Sequence, residues 1–333
     1  MKVGITEVAV RAQVSEATVS RVINRRQGVA KKTRDAVEQA MTELGYERPT
    51  QGQLVAVVTE FVSNPFFADV AERIESALAP HGLKTVLCPA FPGGVQERDF
   101  INSLVDKGVA AVVFLSASNT IEGADTETYE ILRARRIPYV GINGEFTDGV
   151  PAPVYSTDDA LAAELAVDHL YRLGHRTIGM ASGPAGNHPA DRRVQGFLTS
   201  MAKRGVEDAE RLVIRQSYTV EGGQAAAGTL LGLGATAIVA ASDYMALGAI
   251  RGIRRLGRSV PDEVSVVGYD GTMITEFTDP PLTTVRQPAD RLALEAGRSV
   301  LALVGNRDVP TGELLFDPEL VIRSTTGPVP EVA

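Results

Sequence analysis

Val14-Ser15-Glu16-Ala17-Thr18-Val19-Ser20-Arg21-Val22-Ile23-Asn24 is the stretch on which the reading of this chain turns. Wound as a helix, it puts Val14, Thr18, Val19, Val22 and Ile23 on one narrow stripe fit for burial. Ser15 suits the N-cap, where its hydroxyl takes a backbone N–H that has no partner in the first turn. The opposite face carries Glu16, Ala17, Ser20, Arg21 and Asn24. A helix made only to be solvated would more often display long charged side chains. Short side chains, hydroxyls and one arginine instead allow close approach to a DNA groove, with Ser for phosphates and Arg for a base edge. Just upstream, Ile5–Ala12 reads as a first short helix. Two short helices joined by three or four residues make a helix-turn-helix. The expected DNA-contacting set is Ser15, Glu16, Ala17, Thr18, Ser20 and Arg21, with Asn24 and Arg25 following. Two helices of an ordinary bundle are the plainer alternative from this stretch alone.

Working outward, charge supports the first reading. The chain of 333 residues has a net charge of −8, yet its first 34 residues hold eight basic side chains and only Glu7 and Glu16 as acids. A small basic module is carried by a large acidic body, so phosphate contacts are confined to one end. The length implies two or three domains, and 44% hydrophobic residues is ample for sizeable cores. No run approaches the ~18 apolar residues that span a bilayer, and no apolar segment follows the first residues. Cys88 is the single cysteine, which excludes an intrachain disulfide and a thiolate metal site. A soluble cytoplasmic protein with no membrane partner is expected.

Thr33–Leu44 reads as a third helix stopped by Gly45, so the headpiece is assigned residues 1–48, followed by a short linker at 49–53. From Leu54 the texture changes. Continuous apolar runs such as Leu54–Val58, Val109–Leu115, Ile178–Ala181 and Val264–Gly268 alternate with amphipathic stretches. This is the rhythm of parallel strands buried on both faces between helices. It runs once to about Thr157 and then restarts, which implies two α/β lobes with doubly wound parallel sheets. In such sheets ligands bind beyond the carboxyl ends of the strands, so the lobes are expected to face each other across a cleft.

Glu7-Val8-Ala9, Val14-Ser15, Ala17–Asn24 and Leu44-Gly45-Tyr46 together resemble the headpiece of the LacI/GalR family. In the body, Ser63–Phe67, Leu173-Gly174-His175, Ser242–Gly248, Val264–Asp270, Pro281–Gln287 and Glu319–Arg323 resemble that family's periplasmic-binding-protein-like sugar-binding core. The motifs span essentially the whole chain in order. The resemblance implies an N-lobe of 54–157 and 288–312 and a C-lobe of 158–287 and 313–328, joined by three crossovers. It also implies a homodimeric repressor whose operator affinity is set by a small carbohydrate, with a higher oligomer left open. Glu16-Ala17, Tyr46–Pro49 and Pro280–Pro288 resemble the actinobacterial branch that controls maltose or other α-glucoside genes.

No catalytic constellation is found, no metal site and no cofactor site. The four histidines lack ligand spacing. Gly232-Leu233-Gly234-Ala235-Thr236-Ala237 has the letters of a dinucleotide fingerprint but precedes a strand, where the mechanism needs it to follow one. Binding chemistry is better supported. Asp270 ends a strand where a cleft would open, and its carboxylate can accept two hydroxyl hydrogen bonds; a turn cap is the alternative. The resemblance places Arg193 as an effector-clamping arginine and Tyr218 as an aromatic cover, and puts Asn143, Ser242, Asp243 and Gln287 near the cleft. Phe67 is read as cleft lining, and Phe66 equally as core. Asp243 is equally the N-cap of the helix it begins.

Three departures from the family pattern stand out. Gln13 replaces the usual turn glycine, which costs on the order of 1 kcal/mol if its backbone is left-handed. Ala30 replaces a serine cap. Only seven residues, Glu47–Gln53, separate headpiece from core, without the hinge helix that inserts leucine into the minor groove. The rival readings are the same regulator class with a purine or phosphorylated effector, a stand-alone sugar-binding protein, and a hydrolase on a similar fold.

Overall fold

The computed structural model describes residues 4–23, 28–44, 46, 53–90, 95–146 and 151–329. Asn24, Arg25 and linker residues 49–52 lie outside them, as does the question of a hinge helix. The chain divides into two compact units, Met1–Gln51 and Gly52–Ala333.

The small unit has three helices: α1 Ile5–Ala12, α2 Glu16–Ile23 and α3 Lys31–Glu43. Val8, Ala9, Val19, Val22, Val37 and Ala40 form its core. Of the stripe expected on α2, Val19 and Val22 are buried, and Val14, Thr18 and Ile23 pack at its margin. The Ser15 hydroxyl accepts from Thr18 N at 3.2 Å and so caps the helix. Gln13 is left-handed at φ 54°, the conformation a glycine would take more cheaply. Ala30 offers α3 no side-chain cap.

The large unit begins with β1 Leu54–Thr59, α4 Pro65–Leu78, β2 Lys84–Pro89, α5 Glu97–Asp106 and β3 Ala111–Leu115. Then come α6 Glu127–Ala134, β4 Tyr139–Ile142 and β5 Pro153–Thr157. The second lobe follows with α7 Asp159–Arg172, β6 Ile178–Ser182, α8 His188–Ala202, β7 Val213–Arg215 and α9 Val220–Gly232. It continues through β8 Ala237–Ala240, α10 Asp243–Arg255, β9 Ser265–Asp270 and β10 Thr284–Arg286. Finally α11 Ala289–Val304, β11 Gly312–Phe316 and β12 Glu319–Val321 close the fold.

Two six-stranded sheets result, ordered β11-β5-β4-β3-β1-β2 and β12-β10-β9-β8-β6-β7. The first is parallel throughout. The second is parallel except for β12, an antiparallel edge strand. In the N-lobe, α4 and α11 cover one face and α5 and α6 the other, with Ile74, Leu78, Ala296 and Val300 on one side and Ile101 and Tyr129 on the other. In the C-lobe, α9 and α10 oppose α7 and α8. Helices α9 and α10 touch through glycines: a Cβ on Gly223 would fall 2.0 Å from Met245 O, and one on Gly248 1.9 Å from Val220 O.

The assignment of 313–328 to the C-lobe needs correcting. Strand β11 pairs in parallel with β5, from Gly312 against Pro153 to Phe316 against Thr157. The last crossover therefore lies between Phe316 and Glu319, not before 313. The crossovers are tied together: Asp158 N donates to Phe316 O at 2.9 Å, and Thr157 Oγ1 donates to Gln287 Oε1 at 2.8 Å.

Candidate functional site

The carboxyl ends of both sheets converge on one cleft enclosing about 520 Å³ between its walls, the open mouth included. Phe61, Ser63, Asn64 and Phe67 come from the β1–α4 corner, and Ser116 and Asn143 from the ends of β3 and β4. The C-lobe contributes Asn187, Pro189 and Arg193 from α8, then Tyr218, Ser242, Tyr269 and Asp270; Gln287 stands at the crossover.

Local backbone explains the placement. Ser116, Asn143 and Asp270 have φ of 48°, 63° and 118°, sparsely populated values that turn each strand end toward the cleft. Gly271 follows at φ 73°, where a Cβ would strike Arg286. Helices α4 and α8 start alike: Asn64 caps Phe66 N, Asn187 caps Ala190 N, and each is followed by a proline in the first turn. In both lobes the capping asparagine spends its side-chain oxygen on the helix and turns its amide N–H groups to other partners, Asp270 for Asn64 and Thr120 for Asn187.

Arg193 is buried, 6% exposed. It ion-pairs with Asp159, donates from Nη2 to Tyr218 Oη at 2.9 Å, and lies 4.3 Å over the Tyr269 ring. Tyr269 Oη also donates to Asp159 Oδ1 at 2.8 Å. Burial works against the guanidinium charge, but Asp159, together with Tyr218, Tyr269 and Asp270, outweighs it and keeps Arg193 protonated. Asp270 accepts from Asn64 Nδ2 at 2.9 Å and from Gln287 Nε2 at 2.8 Å, joining one lobe to the other. Among the described residues no cation ion-pairs with it. Burial, and then the charge of Asp243, push its carboxyl up to about 7.

Two polar atoms of lining residues, Asn143 Oδ1 and Arg193 Nε, are buried without a partner among the described residues. One is an acceptor from the N-lobe and the other a donor from the C-lobe. Buried polar groups are nearly always paired, so each of the two is a candidate partner for a ligand hydroxyl. Phe61 and Phe67 (centroids 5.6 Å apart) and Tyr218 (5.8 Å from Phe61) supply apolar surface for C–H faces.

Phe67, Asn143, Arg193, Tyr218, Ser242, Asp270 and Gln287 are thus brought together as expected from the sequence. Phe66 belongs to the core beside Phe67. Asp243 is a correction. It does not line the cleft and does not cap α10, a role taken by Ser242 Oγ accepting from Met245 N. Its carboxylate instead accepts from Thr272 N and Oγ1 and from Thr284 Oγ1, behind the cleft wall. Asn64, Asn187, Asp159 and Tyr269 were not singled out in advance. An asparagine followed within two residues by proline, Asn64-Pro65 and Asn187-His188-Pro189, was a visible signal for the first two.

In the headpiece, Ser15, Glu16, Ala17 and Arg21 are exposed and Thr18 and Ser20 half-buried. Glu16 accepts from Thr6 Oγ1 at 2.9 Å, which ties α2 to α1. Among the described residues no cluster of three or more His, Cys, Asp or Glu side chains could hold a metal, and no helix is long and apolar enough to cross a membrane.

Residues 4–49 match the bacterial regulatory proteins of the lacI family, and residues 167–326 a periplasmic binding protein-like domain. The HTH-type transcriptional regulator MalR of Streptomyces coelicolor is 44% identical over 99% of this chain and 98% of its own. The chain belongs to the LacI family. This LacI-family protein is also 31% identical to the transcriptional repressor CytR of Escherichia coli, over 97% of the chain and 96% of CytR. Among solved structures, a complex of the regulator CelR with cellobiose superposes with a TM-score of 0.75 at 30% identity, covering 97% of this chain and all of CelR. The lac repressor dimer bound to operator and an anti-inducer gives 0.71 at 28% identity, over 98% of this chain and all of that one. The protein is a transcription regulator and not an enzyme.

Proposed function

We propose that this regulator is a homodimeric repressor whose operator affinity is set by an uncharged carbohydrate, maltose or another α-glucoside, held between the two core lobes. The unpartnered pair Asn143 Oδ1 and Arg193 Nε carries the reading. A hydroxyl can donate to one and accept from the other, and so reward closure of the lobes. Asp270 accepts further hydroxyls, and the rings of Phe61, Phe67 and Tyr218 face C–H surfaces. A phosphorylated effector is disfavoured, because Arg193 is the one cation among the lining residues and Asp159 already neutralises it. The name of the S. coelicolor relative, MalR, supports maltose among the sugars.

In the headpiece, Ser15, Thr18 and Ser20 are assigned to phosphates and Arg21 to a base edge, two headpieces reading a near-palindrome. The test is a thermal-shift panel of sugars, nucleobases and sugar phosphates on the full chain, with operator binding measured with each hit. A carbohydrate hit that changes the affinity for the gene's upstream DNA is expected. A nucleobase or sugar phosphate as the sole hit, or no DNA binding in any condition, would sink the proposal.

A further inference from the structure

Away from the crossovers, the two lobes of the core grip each other at two points made of the chain's own groups. On one flank the turn Ser118–Thr120, after β3, meets the turn that leads into α8. Ile121 and Asn187 form an antiparallel bridge, Glu122 N donates to Gly186 O at 2.7 Å, and Asn187 Nδ2 reaches Thr120 Oγ1 at 3.4 Å. On the other flank Tyr244 Oη, from the first turn of α10, donates to Ser63 O before α4 at 2.9 Å. The two points lie on opposite sides of the cleft. Helices α8 and α10 cover opposite faces of the C-lobe sheet, and α4 and α6, to which the β1 and β3 corners lead, cover opposite faces of the N-lobe sheet.

Both points are firmly mounted and border the effector. Asn119 Nδ2 donates to Gly144 O at 2.9 Å and its Oδ1 accepts from Ala117 N at 3.0 Å, which fixes the N-lobe turn. Asn187 and Ser63 also line the cleft. Asn187 Oδ1 accepts from Tyr218 Oη at 3.1 Å, and Tyr218 in turn accepts from Arg193. The start of α8 thus holds the N-lobe and steadies the side chains expected to meet the ligand.

We infer that these contacts are a two-sided latch, which holds the lobes together independently of effector, so that effector enters and leaves the cleft only when both sides open. Such bonds are made in the closed core with or without effector. Weakening one raises the open fraction of both forms by the same factor, so association and dissociation quicken together while affinity hardly moves. A residue that touches the sugar behaves differently, changing chiefly the dissociation rate. Only the sugar measurements below rest on the carbohydrate reading of the cleft.

The test uses two variants of the full-length protein. A Cβ on Gly186 would stand 3.7 Å from Glu122 Cβ, inside the roughly 3.5–4.5 Å of disulfides, and Cys88 is buried and does not compete. Glu122→Cys with Gly186→Cys should therefore cross-link on mild oxidation of the protein alone. The oxidised form should take up no maltose, and maltose bound before oxidation should stay until dithiothreitol is added. Tyr244→Phe removes one hydroxyl from the far flank. Hydrogen exchange at the Glu122 amide should then quicken about fivefold, the worth of one hydrogen bond, and both rate constants for maltose should rise alike in stopped flow. Unchanged exchange at Glu122, or a cysteine pair that stays open in the folded protein, would overturn the latch whether or not maltose binds. So would an oxidised protein that exchanges maltose as fast as the reduced one, or a Tyr244→Phe protein altered in dissociation alone. A wild type that binds no maltose, with cross-linking and exchange as expected, would overturn the maltose reading of the cleft and leave the latch standing.

Discussion

Arg193→Met is the most demanding perturbation of the cleft, because it separates stability from recognition. The substitution leaves Asp159, itself 3% exposed, with Tyr269 Oη as its remaining close donor. Breaking a buried ion pair from one side costs about 3–5 kcal/mol. Protonation gives Asp159 an escape, and that sets a ceiling. Neutralising a carboxyl of ordinary pKa ~3.9 costs roughly 5 kcal/mol at pH 7.5 and about 2 kcal/mol at pH 5.5. Urea unfolding of the core should therefore show a loss of about 3–5 kcal/mol at pH 7.5, shrinking to about 2 kcal/mol at pH 5.5. The chain has no tryptophan, so circular dichroism is the suitable probe. Adding Asp159→Asn should recover most of the loss, because the unpaired charge goes with it. Effector binding should not return, since Arg193 Nε is still missing. Equal losses in single and double variants, or a loss independent of pH, would refute the account of Arg193 as a ligand donor held in place by a buried acid.

Asp270 should make effector affinity pH-dependent: with its carboxyl near 7, the ionised acceptor falls about tenfold between pH 8 and pH 6, and titration of sugar binding should follow it. Because the folded pKa is raised, Asp270 favours folding below pH ~4, and that contribution is lost as pH rises through about 7; flat affinity across this range would contradict the role. Arg21→Ala should cost roughly 1–3 kcal/mol on the operator and relax base preference, read by fluorescence anisotropy; equal loss on random DNA would make Arg21 a phosphate contact. Gly248→Ala forces a methyl into the Val220 carbonyl at 1.9 Å and should destabilise the core by about 3 kcal/mol, the upper end for overpacking. A midpoint shift near zero would mean that α9 and α10 separate freely.

Much of this architecture could be read beforehand where one side chain decides one local outcome. Ser15 caps α2, Val19 and Val22 face the headpiece core, and apolar runs such as Val264–Gly268 become buried strands. What escaped depends on pairing at a distance. Nothing local to Gly312–Phe316 says which sheet it joins; only its register against β5 does. Pro153–Thr157, partly polar and opening on proline, carries little strand signal, yet it is an inner strand paired on both sides, with β11 and β4. At Ser242-Asp243 both residues are good caps, and the backbone direction out of β8 gives the cap to serine and turns aspartate to Thr272 and Thr284. Asp159 stands in the first turn of α7, where an acid needs no special partner. Its partner Arg193 lies 34 residues away, and only folding brings the two together.

The route of the chain through the two sheets bears on how the protein is made. The N-lobe sheet lacks its outermost strand until residues 312–316 exist, and its covering helix α11 is drawn from residues 289–304. The C-lobe sheet waits for residues 319–321. Neither lobe can mature on the ribosome ahead of the other, although their first strands are synthesised more than a hundred residues apart. Such long-range closure slows folding and prolongs the exposure of unpaired edges β5 and β10. A stop codon near position 310 would accordingly leave two incomplete lobes and not one good one, beside a headpiece whose three helices are already encoded by residue 43.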